Sequence, residues 1–594
     1  MPGSRKIEKA RDPRGALRRL AAYIRPYGKA MVAVFFMALA NTALALAGPW
    51  VLGNAIDAFI IHRSLAGIGR TVIVLAAVYA ASWGAGLGES LLMQIVSQRA
   101  LRVLRQELFQ HMQSLSLGFF DRSPHGELMS RLTNDIDAIN RALMQSVTGL
   151  VSGVLTLGGV IVMMFALNPL LAVGAVTVLP LMVVMTTAVA RRTRRGFREL
   201  QKRLSVLNGV MEETLTGEQV VQAYGQEKAA IAQFETANAA VREIGTRAQI
   251  ISMLVPPLMG VLSNLDIAVV AGFGGWLALR GLVSVGNIAA FAIYARRFAE
   301  PLRTLADLYN TIQSALAGAE RVFEILDEKP EVIDAPGAVD PGRIEGRVEF
   351  SHVDFGYLPD VPVLKDITLT ALPGQTIALV GPTGAGKTTI VNVLTRFYDI
   401  QAGCIRIDDR DIRGLSVDAL RRQLGIVLQD TFLFSDSVME NIRYGRLSAT
   451  DDECRAAAEL ANADQFIRRL PGGYATKLSE RAGNLSQGQR QLLAIARAVL
   501  ADPRILILDE ATSSVDTRTE AHIQEALLRL MKGRTSFVIA HRLSTIRDAD
   551  EVLVIDGGRI IERGTHGELL ALCGFYHRLY ISQFRGTRQK EARA

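Results

Sequence analysis

The sequence has few charged residues and few cysteines for its length. Charged residues make up 21% of the 594 positions, against 49% for hydrophobic residues, and the mean hydropathy is +0.23. No short internal repeat is present. The three cysteines lack the spacing of a metal site, which excludes a cysteine-ligated metal centre. The composition as a whole is more apolar than that of an ordinary soluble enzyme.

The apolar residues are concentrated in the first 310 positions. Six segments there have about the 20 residues or more that are needed to cross a bilayer. They lie near 30–59, 71–96, 144–167, 169–190, 251–279 and 284–308. From Gly346 onward, short apolar runs alternate with helical patterns. We therefore predict an all-α transmembrane domain with six spans, fused to an α/β domain.

The distribution of basic residues predicts the orientation of the chain. The long connections after the second and fourth segments are rich in arginine, whereas the short loops hold few basic residues. Cytoplasmic loops carry the excess of lysine and arginine, so the N-terminus, the long loops and the α/β domain are expected in the cytosol. All three cysteines then lie in the cytosol, where disulfides are not expected. Basic residues that flank the spans explain the net charge of +8, so no nucleic-acid partner is predicted.

Composition also predicts the domain boundaries. The first residues are basic, and Leu17–Ile24 has the pattern of an interfacial amphipathic helix rather than of a signal peptide. The expected parts are a basic tail with this helix at 1–29, the transmembrane domain at 30–326, a linker rich in proline and glycine at 327–342, the α/β domain at 343–582, and a basic tail at 583–594.

The most specific motif is Gly381-Pro-Thr-Gly-Ala-Gly-Lys-Thr388, which fits the phosphate loop G-x-x-x-x-G-K-[ST]. A strand-like run at 376–380 precedes it and a helix-like run at 389–396 follows it, as this loop requires. Its glycines let backbone N–H groups wrap a phosphate, and the helix N-terminus adds partial positive charge. Lys387 can reach the β- and γ-phosphates, and the Thr388 hydroxyl can hold Mg²⁺. The chain is therefore predicted to bind a nucleoside triphosphate.

Further polar and aromatic residues stand at the ends of predicted strands. Tyr357, Gln429, the acid pair Asp509–Glu510 and His541 each follow an apolar run, and Leu485–Gln489 opens a helix. Taken singly, each has an ordinary structural interpretation, such as a loop glutamine or a helix-capping acid. Taken together they predict one ligand site, because open α/β sheets bind ligands beyond the carboxyl ends of their strands.

In this order the motifs resemble the ATP-binding-cassette (ABC) family, and Leu485–Gln489 resembles the signature motif of that family. Six spans ahead of one cassette look like an exporter half-transporter. Phe119–Asp135 and Glu212–Tyr224 resemble the two cytoplasmic coupling regions of such exporters. The likeness covers nearly the whole chain and is greatest to the catalytically intact half of bacterial heterodimeric multidrug-type exporters.

The resemblance implies a site for ATP and Mg²⁺. The implied nucleotide contacts are Tyr357, Gly381, Pro382, Thr383, Gly384, Ala385, Gly386, Lys387, Thr388, Thr389, Gln429, Asp509 and, toward the nucleotide of a second chain, Ser486, Gln487, Gly488 and Gln489. The implied Mg²⁺ ligands are Thr388, Gln429 and Asp509, and the implied catalytic residues are Glu510, as general base, and His541, as a γ-phosphate contact. Gln487 departs from the family pattern, in which glycine is commonest at that place.

The implied function is ATP-driven export, or flipping, of amphipathic or hydrophobic small molecules or lipids across a bacterial cell membrane. The chain would be one half of a dimer. A heterodimer with a second half-transporter is favoured, and a homodimer stays open. The alternatives are a membrane-anchored regulatory ATPase, an ATP-gated channel and a peptide exporter. An importer is disfavoured, because importers usually keep spans and cassette on separate chains.

A few ionisable residues lie within the predicted spans, namely Glu89, Asp266, Arg296 and Arg297. A charge at bilayer depth costs several kcal/mol unless it faces a partner or water. These side chains either contact cargo in a central cavity or form internal ion pairs, and the sequence leaves both interpretations open.

Overall fold

The structure is a computed structural model that describes residues 10–62, 65–177, 179–358, 360–428, 431–479, 482–510, 517–540 and 546–582. The chain forms two compact units. The first, called the membrane unit below, comprises Met1–Gln113 and His125–Glu328. The second, called the cassette unit, comprises Ser114–Pro124 and Lys329–Ala594. Each unit is described by itself.

Long helices make up the membrane unit. Its helices are α1 (Pro13–Ile24), α2 (Gly28–His62), α3 (Leu65–Ser114), α5 (His125–Ser130), α6 (Ile136–Arg141), α7 (Val147–Leu167), α8 (Pro169–Val176), α9 (Leu179–Thr216), α10 (Glu218–Ala223), α11 (Glu227–Met253), α12 (Val255–Leu279) and α13 (Val285–Asp327). The short helix α4 (Leu117–Arg122) belongs to the cassette unit. Two π-helical turns, Arg131–Asp135 and Ala142–Ser146, flank α6.

Four stretches of the described residues are long and apolar enough to cross a membrane: Pro13–Phe59, Gly67–Ser114, His125–Leu167 and Glu227–Leu279. They contain the first, second, third and fifth predicted spans. The other two predicted spans, 169–190 and 284–308, have most of their described residues in helices α8, α9 and α13, but within the described part of the chain they do not meet the same measure. The helical membrane domain is thus confirmed, and the number of six spans stays a prediction.

The core of the membrane unit lies where α13 packs against α2, α7 and α12. Phe291 and Tyr294 of α13 are fully buried there. The Tyr294 hydroxyl donates a hydrogen bond to the Leu46 carbonyl of α2 at 2.5 Å, so its polar atom is satisfied inside an apolar core. One turn further along α13, Arg297 Nη1 donates to the Ala45 carbonyl at 2.8 Å. These two contacts fix α13 against α2.

The predicted amphipathic segment forms α1, which is held to the end of α13. The Asp12 side chain caps α1 by accepting a hydrogen bond from the Gly15 N–H at 2.9 Å. The N–H groups of Arg11 and Asp12 donate to the Glu320 carboxylate at 2.7 and 2.8 Å. The Arg19 guanidinium lies 4.2 Å from the centre of the Phe323 ring. Helix α1 is therefore fastened to the last turns of α13.

Two sheets form the cassette unit, which confirms the predicted α/β domain. The strands are β1 (Val348–Phe355), β2 (Leu364–Ala371), β3 (Thr376–Val380), β4 (Ala402–Ile407), β5 (Arg410–Asp411), β6 (Leu424–Val427), β7 (Ile505–Glu510), β8 (Thr535–Ala540), β9 (Glu551–Asp556) and β10 (Arg559–Gly564). The smaller sheet is antiparallel, in the order β2-β1-β4-β5. The larger has the order β10-β9-β3-β8-β7-β6, and only its edge strand β10 is antiparallel.

Both faces of the larger sheet are buried. Ala378 and Val380 of β3 pack into one apolar cluster, whereas Ile377 and Leu379 pack into a second cluster on the opposite face. Parallel strands that are covered on both faces read as continuous apolar runs, as β3 and β7 do. The covering helices are α14 (Lys387–Leu394), α15 (Val417–Arg422), α16 (Val438–Arg443), α17 (Asp451–Leu460), α18 (Asp464–Ile467), α19 (Gln487–Ala501), α20 (Thr517–Met531) and α21 (His566–Ala571).

A buried arginine joins the predicted linker to the cassette. Arg396 is 2% exposed, and its Nε pairs with the Asp399 carboxylate at 3.0 Å. Its Nη1 donates to the carbonyls of Ile412 and Leu415 at 3.1 and 3.0 Å. Its Nη2 donates to the carbonyl of Ile333, in the linker, at 3.2 Å. The guanidinium thus satisfies four acceptors in a region with little water.

We expect Arg396→Met to destabilise the cassette unit strongly. Removing one member of a buried charged network costs about 3–5 kcal/mol, because the acceptors lose their donors. For a domain of this size the loss lowers the melting temperature by about 6–20 °C. Arg413→Met is the matched control, since Arg413 is 45% exposed and its ion pair with Asp411 is worth about 0–1 kcal/mol. Thermal unfolding of the full-length purified chain measures both variants, and equal melting temperatures for the two would contradict the role given to Arg396.

The first predicted coupling region, Phe119–Asp135, is divided between the two units. Ser114–Pro124 belongs to the cassette unit, and His125 onward belongs to the membrane unit. Within the cassette unit the Tyr398 hydroxyl donates to the Asp121 carboxylate, and Arg122 pairs with Glu331 at 2.5 Å. Within the membrane unit Asp135 forms a two-pronged pair with Arg321, at 2.5 and 2.9 Å. Each part of the region is therefore held by its own set of polar contacts.

Candidate active site

The larger sheet brings the predicted site residues to one edge. Its strands β3, β8, β7 and β6 are parallel, so their carboxyl ends face the same way. The phosphate loop follows β3, and the acid pair Asp509–Glu510 ends β7. Glu510 is in register with Ala540, the last residue of β8. The loop and the acids thus lie beyond one edge of the sheet, where ligands bind in open α/β folds.

Two loop glycines are required by close approach of other atoms. A Cβ atom at Gly381 would lie 2.1 Å from the Ile555 carbonyl oxygen, a distance that no side chain tolerates. Gly386 has a φ of +110°, and a Cβ atom there would meet Leu364 at 2.9 Å. Gly386 is also the N-cap residue of α14, and no side chain caps this helix. The first N–H groups of α14 are therefore left for a ligand, as in phosphate-binding loops.

Lys387 lies inside the loop. The residue is 8% exposed, and its Nζ donates to the carbonyls of Gly381 and Pro382 at 2.8 and 2.9 Å. Burial lowers the pKa of the Lys387 ammonium, and the nearby Asp509 carboxylate acts in the opposite direction. The positive charge is thus held at the loop, with Asp509 within electrostatic reach.

Tyr357 lies beside the start of α14. Its hydroxyl donates to Thr389 Oγ1 at 3.3 Å and accepts from the Asn392 amide at 3.1 Å. Its ring packs edge-on against Tyr398, with centroids 5.1 Å apart and planes at 86°. One face of a half-exposed aromatic ring beside a phosphate loop is suited to stacking on a nucleobase. Thr388, by contrast, is exposed, and Thr389 is buried.

Asn392 and Tyr398 were not among the predicted site residues. Asn392 lies three positions after Thr389 on α14, so the helical period could have placed both on the face toward Tyr357. Tyr398 lies in the turn after α14 and has no motif of its own. Burial and the hydrogen bond to Asp121 raise the pKa of the Tyr398 phenol, which is therefore a permanent donor at neutral pH.

The signature-like stretch begins helix α19. Ser486 Oγ accepts a hydrogen bond from the Gln489 N–H, and the Gln489 side chain accepts one from the Ser486 N–H at 2.9 Å. This reciprocal capping box fixes the first turn of α19. Gly488 is buried and Ser486 is exposed. The contacts of Ser486 and Gln489 are thus with each other, and the Ser486 end of the helix faces solvent.

Two predicted site residues, Gln429 and His541, lie outside the described part of the chain. Glu510 is described as the last residue of β7. The residues that are described fit a nucleoside triphosphate, because a buried lysine and an uncapped helix start meet at a loop that only glycine can form. A threonine hydroxyl and a carboxylate at the same edge offer the oxygen ligands that Mg²⁺ prefers.

The chain matches known families along both of its parts. Residues 31–302 match the family described as ABC transporter transmembrane region, and residues 364–513 match the family described as ABC transporter. The first range contains most of the helical membrane domain. The second contains the phosphate loop and the signature-like stretch.

Relatives extend this match over the whole chain. The fatty acid ABC transporter ATP-binding/permease protein of Mycobacterium bovis is 41% identical, over 96% of this chain and 97% of that protein. The ATP-dependent lipid A-core flippase of Syntrophus aciditrophicus is 38% identical, over 96% of this chain and 94% of that protein. A solved structure of a bacterial Atm1-family ABC exporter with ATP bound has 31% identity and a TM-score of 0.74, over 93% of this chain and 98% of that chain. The chain therefore belongs to the ABC transporter family, as an exporter that fuses a transmembrane domain to an ATP-binding domain and couples ATP hydrolysis to transport.

Proposed function

We propose that this chain is one half of a dimeric exporter that moves, or flips, amphipathic small molecules or lipids out of a bacterial cell. One observation carries the proposal. The phosphate loop, Lys387 and the β7 acids lie at one edge of a sheet, in a chain that also has a helical membrane unit. The two relatives above, one named for fatty acids and the other for lipid A-core, support a lipidic or amphipathic cargo.

The residues of the site have separate roles in the proposed reaction. Tyr357 would stack on adenine, and the amides of Gly381–Thr389 with Lys387 would hold the phosphates. Thr388, Gln429 and Asp509 would ligate Mg²⁺, which neutralises phosphate charge when bound. Glu510 would accept the proton of the attacking water, and His541 would contact the γ-phosphate. Asp509 and Glu510 are consecutive at the end of β7, so the proposal gives them separate tasks, Asp509 at the metal and Glu510 at the attacking water.

A second half-transporter is part of the proposal. Ser486 at the start of α19 is exposed and caps its own helix, so the signature-like stretch is free to meet a nucleotide held by another chain. Apolar side chains around α10 also stand in solvent, with Tyr224 76% exposed and Val220 61% exposed. An apolar cytosolic patch of this kind is typical of a protein interface. We favour a heterodimer, with the N-terminus and both cassettes in the cytosol.

Transport itself is the decisive test. Inverted membrane vesicles from cells that express the complex should accumulate an amphipathic fluorescent dye when ATP and Mg²⁺ are supplied. Vesicles with ADP, and vesicles with the Glu510→Gln complex, are the controls. ATP hydrolysis without movement of dye or of labelled lipid would favour a regulatory ATPase, and ion current would favour a channel. Purification from the native membrane shows whether a different second half accompanies the chain.

We expect Tyr224→Ala to lower transport more than basal ATP hydrolysis. Tyr224 would be an aromatic anchor at a moving interface, and loss of such an anchor typically costs about 2 kcal/mol or more of binding free energy. Hydrolysis continues because no catalytic group is removed. Phe234→Ala, on the neighbouring helix α11 and outside the coupling region, is the matched control. Dye uptake and phosphate release are measured in one preparation, and a proportional fall of both would assign the segment to folding instead.

A further inference from the structure

The membrane unit contains a cavity of about 640 Å³. Helix α3 supplies one wall, with Tyr79, Trp83 and Glu89 among the side chains that recur every three or four residues along one helical face. Asn41 of α2 lies on the adjoining wall. The volume is in the range of small-molecule sites, which are about 300–1,000 Å³.

The third wall comes from an irregular part of the chain. Met144 and Gln145 line the cavity, and both belong to the π-helical turn Ala142–Ser146. A π-helical turn inserts an extra residue into a helix and is found frequently at functional sites. Here it places a flexible thioether and an amide against the α3 face. The π-helical turn is a second feature, independent of the cavity volume, that distinguishes this place in the helix bundle.

A buried carboxylate lies in this cavity. Glu89 is 6% exposed, and its carboxylate accepts a hydrogen bond from Ser152 Oγ at 3.5 Å. The Asn41 side chain lines the same cavity, and its carbonyl oxygen accepts a hydrogen bond from Ser82 Oγ at 2.7 Å. Among the described residues that line the cavity there is no lysine, arginine or histidine, and no described cation pairs with Glu89. The neutral hydrogen bond from Ser152 holds the carboxylate but supplies no counter-charge, and a bound cation would supply one.

Aromatic rings lie on the open side of the same cavity. Trp83 is 72% exposed and Tyr79 is 48% exposed, one turn apart on α3. The faces of such rings attract cations, most strongly for tryptophan. Met93 and Met144 add adaptable apolar surface. The lining therefore combines one carboxylate without a counter-ion, two electron-rich ring faces and apolar surface, and these favour a positive charge attached to an apolar body.

We propose that this cavity binds organic cations with an apolar body, and that Glu89 determines the preference for positive charge. The inference rests on the proposed export function, because the cation would be cargo. It differs from what the fatty-acid relative alone would suggest, since a carboxylate cargo would meet like charge at Glu89. The residues Asp266, Arg296 and Arg297 do not line this cavity. Asp266 is buried, and its Oδ1 has no hydrogen-bond partner in the described part of the chain.

Two ions of the same shape and opposite charge test the proposal directly. Tetraphenylphosphonium and tetraphenylborate are offered to the full-length complex in nanodiscs, without ATP, and binding is measured by equilibrium dialysis against protein-free nanodiscs. The wild-type complex should bind the phosphonium at least about tenfold more tightly than the borate, which corresponds to about 1.4 kcal/mol. Glu89→Gln should lose about tenfold in phosphonium affinity and leave borate affinity unchanged or raised. Glu89→Asp, which keeps the charge, should retain the preference.

Further variants separate charge from shape. Trp83→Leu should weaken phosphonium binding a few-fold, because the cation–π attraction is lost. Glu107→Gln is the matched control, since it makes the same change on the same helix outside the cavity and should leave phosphonium affinity as in the wild type. Equal wild-type affinity for the two ions would overturn the proposal. So would unchanged phosphonium binding in Glu89→Gln, or a parallel loss of both ions in that variant.

A transport arm distinguishes this inference from the proposed function. Inverted vesicles are supplied with ATP and with phosphonium, borate or oleate in separate samples. The complex could prefer phosphonium in the binding assay and yet show no ATP-driven uptake of any of the three compounds. That result would contradict the export proposal and leave the cation site supported. ATP-driven uptake of borate or oleate, with phosphonium excluded, would support export and overturn the cation site.

Discussion

Glu510→Gln should retain ATP binding and lose nearly all ATP turnover. Glutamine has almost the same shape as glutamate, but its amide cannot accept the proton that the attacking water must release. Loss of a positioned general base typically lowers the rate by about 10²–10⁴-fold. Glu510 ends β7 in register with the end of β8, at the edge where the phosphate loop lies. Phosphate release and nucleotide binding by the purified complex measure the two effects separately.

A second glutamate in the same sheet serves as the control. Glu551 begins β9, at the opposite edge, so Glu551→Gln makes the same chemical change away from the loop. Its turnover should stay near that of the wild type. In a heterodimer the site held by the other chain must first be silenced, or its turnover would mask the loss. Hydrolysis within a few-fold of wild type in Glu510→Gln would show that another group takes the proton.

Lys387→Ala should weaken ATP binding and lower turnover by about 10²–10³-fold, the range found when one preorganised charge-stabilising group is removed. Two effects combine here. The ammonium that meets the phosphates is lost, and so are the hydrogen bonds that Lys387 donates to the carbonyls of Gly381 and Pro382. The loop therefore loses both its charge and part of its shape. Titration with a fluorescent ATP analogue at fixed Mg²⁺ gives the affinity, and phosphate release gives the rate.

Lys532→Ala is the control for this variant. Lys532 is exposed and lies near Gly374 and Thr376, at the edge where β3 begins rather than where it ends. It should bind and hydrolyse ATP as the wild type does. If the Lys387→Ala variant bound nucleotide with wild-type affinity, Lys387 would not be a nucleotide-binding residue, whatever the effect of the change on the rate.

The sequence predicts best the parts of the fold that depend on local patterns. The strand predicted at 376–380 is β3, with the same limits. The helix after it begins at Lys387 rather than Thr389, because Gly386 adopts the left-handed conformation that starts α14 inside the motif. Four predicted spans meet the span criterion for the same reason, since hydropathy over about 20 residues is also a local property.

Contacts between distant residues could not be read from the sequence. Arg396 donates to a carbonyl of the predicted linker, and Tyr398 donates to Asp121. Both roles depend on hydrogen bonds between residues that are far apart in the chain. The contacts of the ionisable residues in the spans could not be predicted from the sequence either. Arg297 binds the Ala45 carbonyl rather than an acid, and the cavity with a carboxylate is formed around Glu89.

In the candidate site, the residues of contiguous motifs were predicted and their neighbours outside the motifs were not. The loop, Lys387 and the acid pair each belong to a contiguous motif, and the parallel strands then bring them to one edge. The neighbours of Tyr357 do not belong to any motif, so the contact of its ring with Tyr398 could not be predicted. Gln429 and His541 stay predictions, because they lie outside the described residues.

The position of Tyr398 has a thermodynamic consequence. One side of this residue packs against Tyr357, the proposed adenine-stacking ring, and its hydroxyl binds Asp121 in Ser114–Pro124. The two contacts share one side chain, so a nucleobase that repositions Tyr357 alters the free energy with which that segment is held. This coupling is reciprocal. If nucleotide binding changes the affinity with which Ser114–Pro124 is held, then a change in how that segment is held alters nucleotide affinity by the same factor. Tyr398→Phe, which keeps the ring and removes the hydroxyl, cuts this link on one side only.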